Sequence, residues 1–176
     1  MIKIVDLSKI KSILPKVDLI NEIEKGFVAY SNGEVVVPPV GELSFDSPPG
    51  DVHIKYGYIK NDDIYVIKIA SGFYNNSEFD IPTGNGMIMV FDQKNGQPIA
   101  ILNDECYLTD VRTAIAGAIC AKYFAPKNIN RIGIVGTGVQ ARMQLQYLKG
   151  VVDCNDALVW GRNSDSLDKY EKDMEK

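Results

Sequence analysis

The residues best suited to binding chemistry form one short glycine-containing segment in the last third of the chain. Residues 131–141 read RIGIVGTGVQA and contain the pattern G-x-G-x-x-A between Gly136 and Ala141. An apolar run ends at Gly136 and a plausible helix follows, so we predict a strand that turns sharply into a helix. The main-chain N–H groups and the dipole at such a helix start favour an anion. The spacing therefore predicts a site for the pyrophosphate of a dinucleotide, and the alternative is a glycine-rich turn without a ligand. The predicted cofactor-binding residues are Gly136, Thr137, Gly138, Val139, Gln140 and Ala141.

A second short strand, predicted over residues 157–160, bears on which dinucleotide binds. Folds that select NAD usually carry an acidic residue near the end of this strand, where it binds the ribose hydroxyls. The residues at this point are Gly161, Arg162, Asn163 and Ser164, with no acid among them. Arg162 would bind a 2′-phosphate with neutral hydrogen-bonding residues beside it, so NADP is predicted and NAD is the alternative. The other interpretation of Arg162 is a solvated arginine at a helix start.

A single lysine interrupts an otherwise apolar predicted strand. Residues 52–59 and 64–70 read as the two strands of a hairpin, joined by the turn KNDD. The second strand is apolar on both faces except at Lys68, and such strands are typically buried. A buried ammonium group needs a partner or a substrate, so Lys68 is a candidate site residue. An ion-paired lysine, or one that extends its amine to solvent, is the equally weighted alternative.

Arg112 is the second candidate cation. It lies near the start of a predicted helix over residues 110–124, which Thr109 would cap. The helix dipole disfavours a cation in the first turn unless an anion is held there. Arg112 is therefore a candidate for anion binding, and the alternative is a surface arginine bonded to a neighbouring carboxylate.

The predicted elements indicate an α/β protein. A helix is predicted over residues 18–31, followed by a mainly antiparallel sheet over residues 52–102. Asn95-Gly96 is a strong signal for a hairpin within that sheet. Polar stretches at residues 45–50 and 71–83 read as loops.

Composition argues against several classes of function. The 176 residues carry a net charge of −4 with no basic block, which argues against nucleic-acid and membrane-surface partners. No apolar run reaches the roughly 18 residues that span a bilayer, and the charged first residues do not read as a signal peptide. The three cysteines, Cys106, Cys120 and Cys154, lack metal-like spacing and indicate free thiols in a reducing compartment, the cytoplasm. His53 is the only histidine, and no metal site is predicted.

Together with Lys68, three segments resemble the ornithine cyclodeaminase/mu-crystallin family. They are DIPT at residues 80–83, LTDVRTA at residues 108–114 and GIVGTGVQA at residues 133–141. The resemblance extends over nearly the whole chain. The family includes ornithine cyclodeaminases, alanine dehydrogenases and ketimine reductases. The resemblance therefore implies NAD(P)-dependent hydride transfer at an amino-acid α-carbon, with loss of ammonia in a cyclodeaminase.

The resemblance also implies roles for individual residues and domains. Lys68 matches the lysine that binds the substrate carboxylate and assists at the imine, and Arg112 matches the arginine near carboxylate and cofactor; these two are the predicted catalytic residues. His53, Lys55 and Thr83 are predicted to bind substrate, while Arg112 and Thr113 join the cofactor-binding set. The implied partners are a small amino acid or cyclic imine and, in the full-length form, a second copy in a homodimer. Residues 1–127 are assigned to an α+β substrate-binding and dimerisation domain, and residues 128–176 to the first βαβα part of a Rossmann-type dinucleotide-binding domain.

The chain departs from the family pattern at three points. Pro38-Pro39-Val40 stands where the family often has P-x-R, so a substrate-carboxylate arginine is missing and ornithine is disfavoured. Asp80 stands where a glycine usually precedes the Pro-Thr motif. Family members are much longer, and their catalytic aspartate lies beyond the resemblance, so the Rossmann part is incomplete. We expect the N-terminal piece of an enzyme, inactive by itself. The alternatives to a cyclodeaminase are a ketimine reductase, an alanine-dehydrogenase-like oxidoreductase, or a non-catalytic NADP(H)-binding crystallin-like protein.

Overall fold

The computed structural model describes residues 1–175, which form two compact units of an α/β fold. The first unit comprises Met1–Asp18 and Lys25–Thr109, and the second comprises Leu19–Glu24 and Asp110–Lys176. Lys176, the last residue of the predicted second domain, lies outside the described residues. The division falls after Thr109, near the start of a long helix, whereas the sequence-based boundary after residue 127 lies beyond the end of that helix. Among residues 1–175, no helix is both long enough and apolar enough to cross a membrane.

The first unit is built on a seven-stranded sheet that is mainly antiparallel, as predicted. Its strands are β1 (Lys3–Asp6), β2 (Val35–Val36), β3 (Gly41–Asp46), β4 (Pro49–Ile59), β5 (Ile64–Phe73), β6 (Gly84–Asp92) and β7 (Pro98–Asn103). The order is β1-β7-β6-β5-β4-β2, with β3 also paired to β4. Strand β5 therefore lies in the interior of the sheet, which explains its apolar sequence.

The register separates the sheet into two chemically different faces. On one face Lys55 lies directly opposite Lys68, which in turn lies opposite Ile88; we call this the lysine face. On the other face Tyr56 lies opposite Ile67, and this apolar face continues across the neighbouring strands. The residues of the apolar face include Ile4, Tyr56, Tyr58, Tyr65, Ile67, Met89, Phe91 and Ile101. The rings of Tyr65 and Phe91 stack there, with their centroids 4.8 Å apart.

Two predicted loops are wrong in whole or in part. The stretch 45–50 is mostly strand, because β3 continues to Asp46 and β4 begins at Pro49. A Cβ on Gly50 would lie 2.6 Å from the Phe73 ring, so this glycine permits close packing within the sheet rather than marking a loop. The stretch 71–83 is strand up to Phe73, followed by a 3₁₀ helix over Tyr74–Phe79.

Two α-helices precede β2 in the chain, and the second of them is divided between the two units. Helix α1 (Leu7–Ile13) is capped by Asp6, whose carboxylate accepts the Lys9 N–H at 2.8 Å. Helix α2 (Leu19–Ser31) begins one residue after its predicted start. Phe27 and Tyr30, two apolar residues of this helix, are 51% and 64% exposed, so neither is part of the core.

Helix α3 (Tyr107–Phe124) starts earlier than predicted. Thr109 is therefore not its cap, and the carboxylate of Asp104 instead accepts the Leu108 N–H at 2.9 Å. Glu105 and Cys106 have φ values of 51° and 66°, which let the chain turn from β7 directly into the helix. Arg112 is consequently the sixth residue of α3, so the argument that placed it in the first turn is wrong.

The second unit contains the predicted βαβα sequence. It consists of β8 (Ile132–Val135), α4 (Val139–Leu148), β9 (Ala157–Trp160) and α5 (Ser164–Met174). Strands β8 and β9 pair in parallel, as a dinucleotide fold requires. The buried apolar side chains of this unit are Val111, Ala114, Ile115, Ala118, Ile119 and Tyr170. A Cβ on Gly117 would lie 2.7 Å from Gln144 Oε1, so the glycine allows the Gln144 side chain close to α3.

Candidate active site

Lys68 lies in the middle of the lysine face of the first unit. It is half-buried, and its Nζ donates to Thr109 Oγ1 at 3.2 Å. Lys55 lies directly opposite on β4 and is exposed. Like charges in directly opposed positions destabilise a sheet, so this pair favours an anionic ligand over the lysine face.

His53 and Lys55 lie on the same face of β4, because they are two residues apart on one strand. His53 Nδ1 lies 3.4 Å from Asp51 Oδ1. The Tyr74 hydroxyl donates to the other carboxylate oxygen of Asp51 at 2.5 Å, and this hydrogen bond raises the pKa of Tyr74. The register thus brings together three of the predicted substrate-side residues, His53, Lys55 and Lys68.

Thr83 is exposed in the segment that leads into β6. Its carbonyl accepts the Phe73 N–H at 2.9 Å, which ties the segment to the end of β5. Its main chain therefore helps to hold this end of the sheet together.

Asp104 is a functional candidate that the sequence reasoning missed. Its residue exposure is 1%, and it is the one buried charged residue in the described part of the first unit. Burial raises the pKa of its carboxyl group, while the hydrogen bond from Leu108 and the positive charge of Lys68 oppose that rise. The sequence does show an acidic residue between an apolar strand and a helix, and this could have marked Asp104 as a candidate. Its electrostatic interaction with Lys68 could not be foreseen, because it depends on pairing between distant strands.

In the second unit, the loop between β8 and α4 has the shape that the glycine pattern predicts. Gly136 has φ +104°, a conformation that favours glycine, and its N–H donates to the Trp160 carbonyl at 2.7 Å. Gly138 precedes α4, and no side chain caps this helix start. Its φ is −83°, and a Cβ there would meet nothing within 4 Å. The protein itself therefore does not require glycine at 138, whereas a phosphate group resting on the main chain would.

The remaining residues of this loop have contacts within the second unit. Gln140 Nε2 donates to both the carbonyl and the carboxylate of Asp110, at 3.1 and 3.0 Å. The Ala141 carbonyl accepts the Tyr170 hydroxyl at 2.9 Å, and the Thr137 carbonyl accepts from Arg142. Since Gln140 uses its side-chain amide in these bonds, its main-chain N–H is the group best suited to a cofactor.

The end of β9 lies next to this loop. A Cβ on Gly161 would lie 3.0 Å from Thr137 Cγ2, so the glycine permits close packing of the two loops. Asn163 caps α5, with its side-chain oxygen accepting the Ser166 N–H at 2.9 Å. Arg162 and Ser164 are exposed. The residues 161–164 thus combine a packing glycine, a helix cap and one exposed cation.

Two predicted residues lie within α3. Arg112 is exposed and Thr113 is half-buried. Both belong to the second unit, together with the glycine loop.

The chain is similar to several known proteins in sequence and structure. It is 36% identical over 163 residues to an uncharacterized cyclodeaminase of Sinorhizobium fredii, which covers 92% of this chain and 49% of that protein. It is 28% identical over 163 residues to the alanine dehydrogenase of Archaeoglobus fulgidus, with the same coverages of 92% and 49%. The structure of Thermococcus litoralis Delta(1)-pyrroline-2-carboxylate reductase in complex with NADH and L-proline matches 98% of this chain and 53% of that chain, with a TM-score of 0.91 and 26% identity.

The chain spans about half the length of the curated relatives it matches. The family model described as the ornithine cyclodeaminase/mu-crystallin family matches residues 3–176. On this match, which covers nearly every residue, the chain belongs to the ornithine cyclodeaminase/mu-crystallin family.

Proposed function

We propose that this chain carries the substrate-binding face and the dinucleotide-binding loop of an NAD(P)-dependent enzyme that transfers hydride at the α-carbon of an amino or imino acid. The observation that carries the proposal is the open main chain at Gly138, where neither backbone conformation nor packing requires a glycine. Family membership supports it, as does the solved Thermococcus litoralis reductase, which holds NADH and L-proline. The cofactor supplies or accepts the hydride when it is bound.

The residues of the first unit are proposed to bind the substrate and to assist proton transfer. Lys55 is exposed and makes no hydrogen bond or ion pair with other described residues, so it is suited to bind the substrate carboxylate. Lys68 donates to Thr109, and its ammonium group is suited to donate a hydrogen bond or a proton to the substrate nitrogen. His53 and Thr83 would contact the rest of the substrate.

The residues of the second unit would hold the dinucleotide. The main-chain N–H groups of Val139, Gln140 and Ala141 lie in the first turn of α4 and would bind the pyrophosphate. Arg162 is exposed after β9, where it would bind a 2′-phosphate, so we assign NADP as cofactor and keep NAD as the alternative. Arg112 and Thr113 of α3 are proposed to complete this set.

The substrate is proposed to be a small amino acid or cyclic imine. A cyclodeaminase would also release ammonia, whereas a ketimine reductase or an alanine dehydrogenase would perform a single net hydride transfer. A non-catalytic NADP(H)-binding protein would bind the cofactor without turning over any imine. Three cysteines without a disulfide among the described residues fit a reducing compartment, and we place the protein in the cytoplasm.

A homodimer formed through the apolar face is part of the proposal. Tyr56, Tyr58 and Ile4 of this face are 43%, 38% and 75% exposed, and exposed apolar patches of this kind commonly mark protein–protein contacts. A second copy of the same face would cover them. Tyr56→Glu should convert a dimer to a monomer in sedimentation, and a wild-type chain that sediments as a monomer would contradict this assembly.

The cofactor assignment is tested by one substitution made at two glycines. Gly138→Val should weaken NADPH binding by about fiftyfold or more, because the side chain occupies the space of the pyrophosphate. Gly133→Val is the matched control, since a Cβ at Gly133 also meets nothing within 4 Å but lies on β8. Calorimetry and the fluorescence of Trp160, which lies beside the loop, report the affinity. Equal NADPH affinities for the two variants would rule out this loop as the cofactor site.

A further inference from the structure

Asp104 connects three structural features of the first unit. It follows β7 directly, its Oδ2 accepts the Leu108 N–H at 2.9 Å, and its carbonyl accepts the Tyr107 N–H at 2.8 Å. Thr109, the residue after Leu108, accepts a hydrogen bond from Lys68 Nζ through its side-chain oxygen at 3.2 Å. The carboxylate therefore fixes the helical turn that supplies a partner to Lys68.

The turn that carries Asp104 is held in a demanding conformation. Glu105 and Cys106, which follow it, both have positive φ, a conformation that residues with a Cβ rarely adopt. The turn is anchored to β6, where the Gly86 carbonyl accepts the Glu105 N–H at 3.2 Å and the Asn85 carbonyl accepts from Cys106 Sγ at 2.7 Å. A Cβ on Gly86 would lie 3.0 Å from that sulfur, so the glycine allows the turn to approach the sheet.

The other charged groups of the lysine face do not supply a negative charge to Lys68 in the way that Asp104 does. Asp51 is bonded by Tyr74 and lies beside His53, and His53 lies opposite Glu42 of β3. Lys55, directly opposite Lys68, adds a positive charge rather than a negative one. Burial raises the pKa of the Asp104 carboxyl group, and the positive charge of Lys68 acts against that rise.

We propose that Asp104 is a positioning residue that keeps the ammonium group of Lys68 charged and fixed against Thr109. It acts on Lys68 both through its negative charge and through the first turn of α3. The inference rests on the proposed substrate role of Lys68 for its functional meaning, but the coupling between the two residues is measurable without substrate.

The test uses competitive acetylation of the whole chain, with each lysine followed by mass spectrometry. Asp104→Asn keeps a side-chain oxygen for the Leu108 N–H but removes the charge. At a fixed alkaline pH, Lys68 should be acetylated about tenfold faster in this variant, the effect of one pKa unit, because a larger fraction of the amine is neutral. Lys94, which is paired with Asp63, is the internal control and should keep its rate, whereas Asp104→Glu should restore much of the wild-type rate at Lys68. An unchanged Lys68 rate in folded Asp104→Asn would overturn the proposal.

A second measurement tests the coupling between Asp104 and Lys68 even if Asp104→Asn does not fold. Electrostatic coupling is reciprocal, so Lys68→Met should raise the pKa of the Asp104 carboxyl further above its ordinary value. Carbon-13 NMR of labelled aspartate follows this titration, with Lys55→Met as the matched control. An Asp104 pKa that is the same in wild type and in Lys68→Met would overturn the proposal.

The same variants separate this inference from the proposed function. If Lys68→Met raises the Asp104 pKa but binds a cyclic imine carboxylate as tightly as wild type, the positioning of Lys68 stands and its substrate role is wrong. If the Asp104 pKa does not move while imine binding is lost, the substrate role stands and the positioning by Asp104 is wrong.

Discussion

The two units hold their candidate residues in opposite ways. In the second unit the cofactor loop is one continuous segment from Gly136 to Ala141, and its shape depends on local main-chain conformation. In the first unit His53, Lys68 and Asp104 are far apart in sequence, and they are placed by the register of β4, β5 and the turn after β7. The candidate residues of the second unit therefore depend mainly on local structure, whereas those of the first unit depend on the whole sheet.

The largest expected effect is on the first unit alone. In the full-length protein, Lys68→Met should lower the rate of cyclic imine reduction by about a hundredfold or more, as expected for loss of an acid–base group. The affinity for NADPH should stay within about twofold, because independent sites contribute separately. Steady-state kinetics and calorimetry measure the two quantities. Lys94→Met, an exposed lysine in the hairpin turn that pairs with Asp63, is the control and should leave both unchanged. A parallel loss of NADPH affinity in Lys68→Met would break the division between the units.

The next effect concerns only the second unit. Arg162→Ala should weaken NADPH binding by about tenfold to thirtyfold, the value of a charge-assisted hydrogen bond, with NADH binding nearly unchanged. Arg131→Ala is the matched control, because Arg131 is also an exposed arginine. It lies at the other end of β8 and β9, where its guanidinium group is 2.8 Å from the Asp156 carboxylate. Fluorescence titrations with both cofactors measure the ratio. Equal weakening of NADPH and NADH would contradict the 2′-phosphate assignment.

The smallest expected effect distinguishes two roles of Asn163, the capping of α5 and the binding of the cofactor. Asn163→Ala should lower the free energy of unfolding by about 1 kcal/mol, because the variant loses the cap of α5. Ser164→Ala changes the neighbouring residue without removing that bond and should cost less. Urea unfolding measures both. If Asn163→Ala keeps full stability but loses NADPH affinity, its main role is at the cofactor rather than in the cap.

Features that depend on local sequence could be predicted, whereas features that depend on packing between distant segments could not. The turn from β8 into α4, the parallel pairing of β8 with β9 and the hairpin of β4 and β5 are confirmed, because each depends on neighbouring residues or on strand periodicity. The sequence could also place Lys68 and Lys55 on one face, since both lie on hairpin strands. It could not locate Asp104, whose burial depends on the packing of a turn against β6.

The errors have a similar cause. Thr109 was predicted as a cap because threonine suits that position, but two left-handed residues, Glu105 and Cys106, let α3 begin earlier. The stretch 45–50 was predicted as a loop from its prolines and polar residues, but pairing with neighbouring strands makes it part of a hairpin. In both cases a tertiary contact outweighed a correct local preference.

The opposition of Lys55 and Lys68 has a consequence for the energetics of ligand binding. Two ammonium groups across one antiparallel pair repel each other, so the empty sheet is less stable than its packing alone would make it. A carboxylate placed over them removes that repulsion, and part of the binding energy then appears as greater rigidity of β4 and β5. Amide hydrogen exchange in these two central strands should therefore slow when an anionic substrate binds, and it should do so in proportion to the negative charge that the substrate carries.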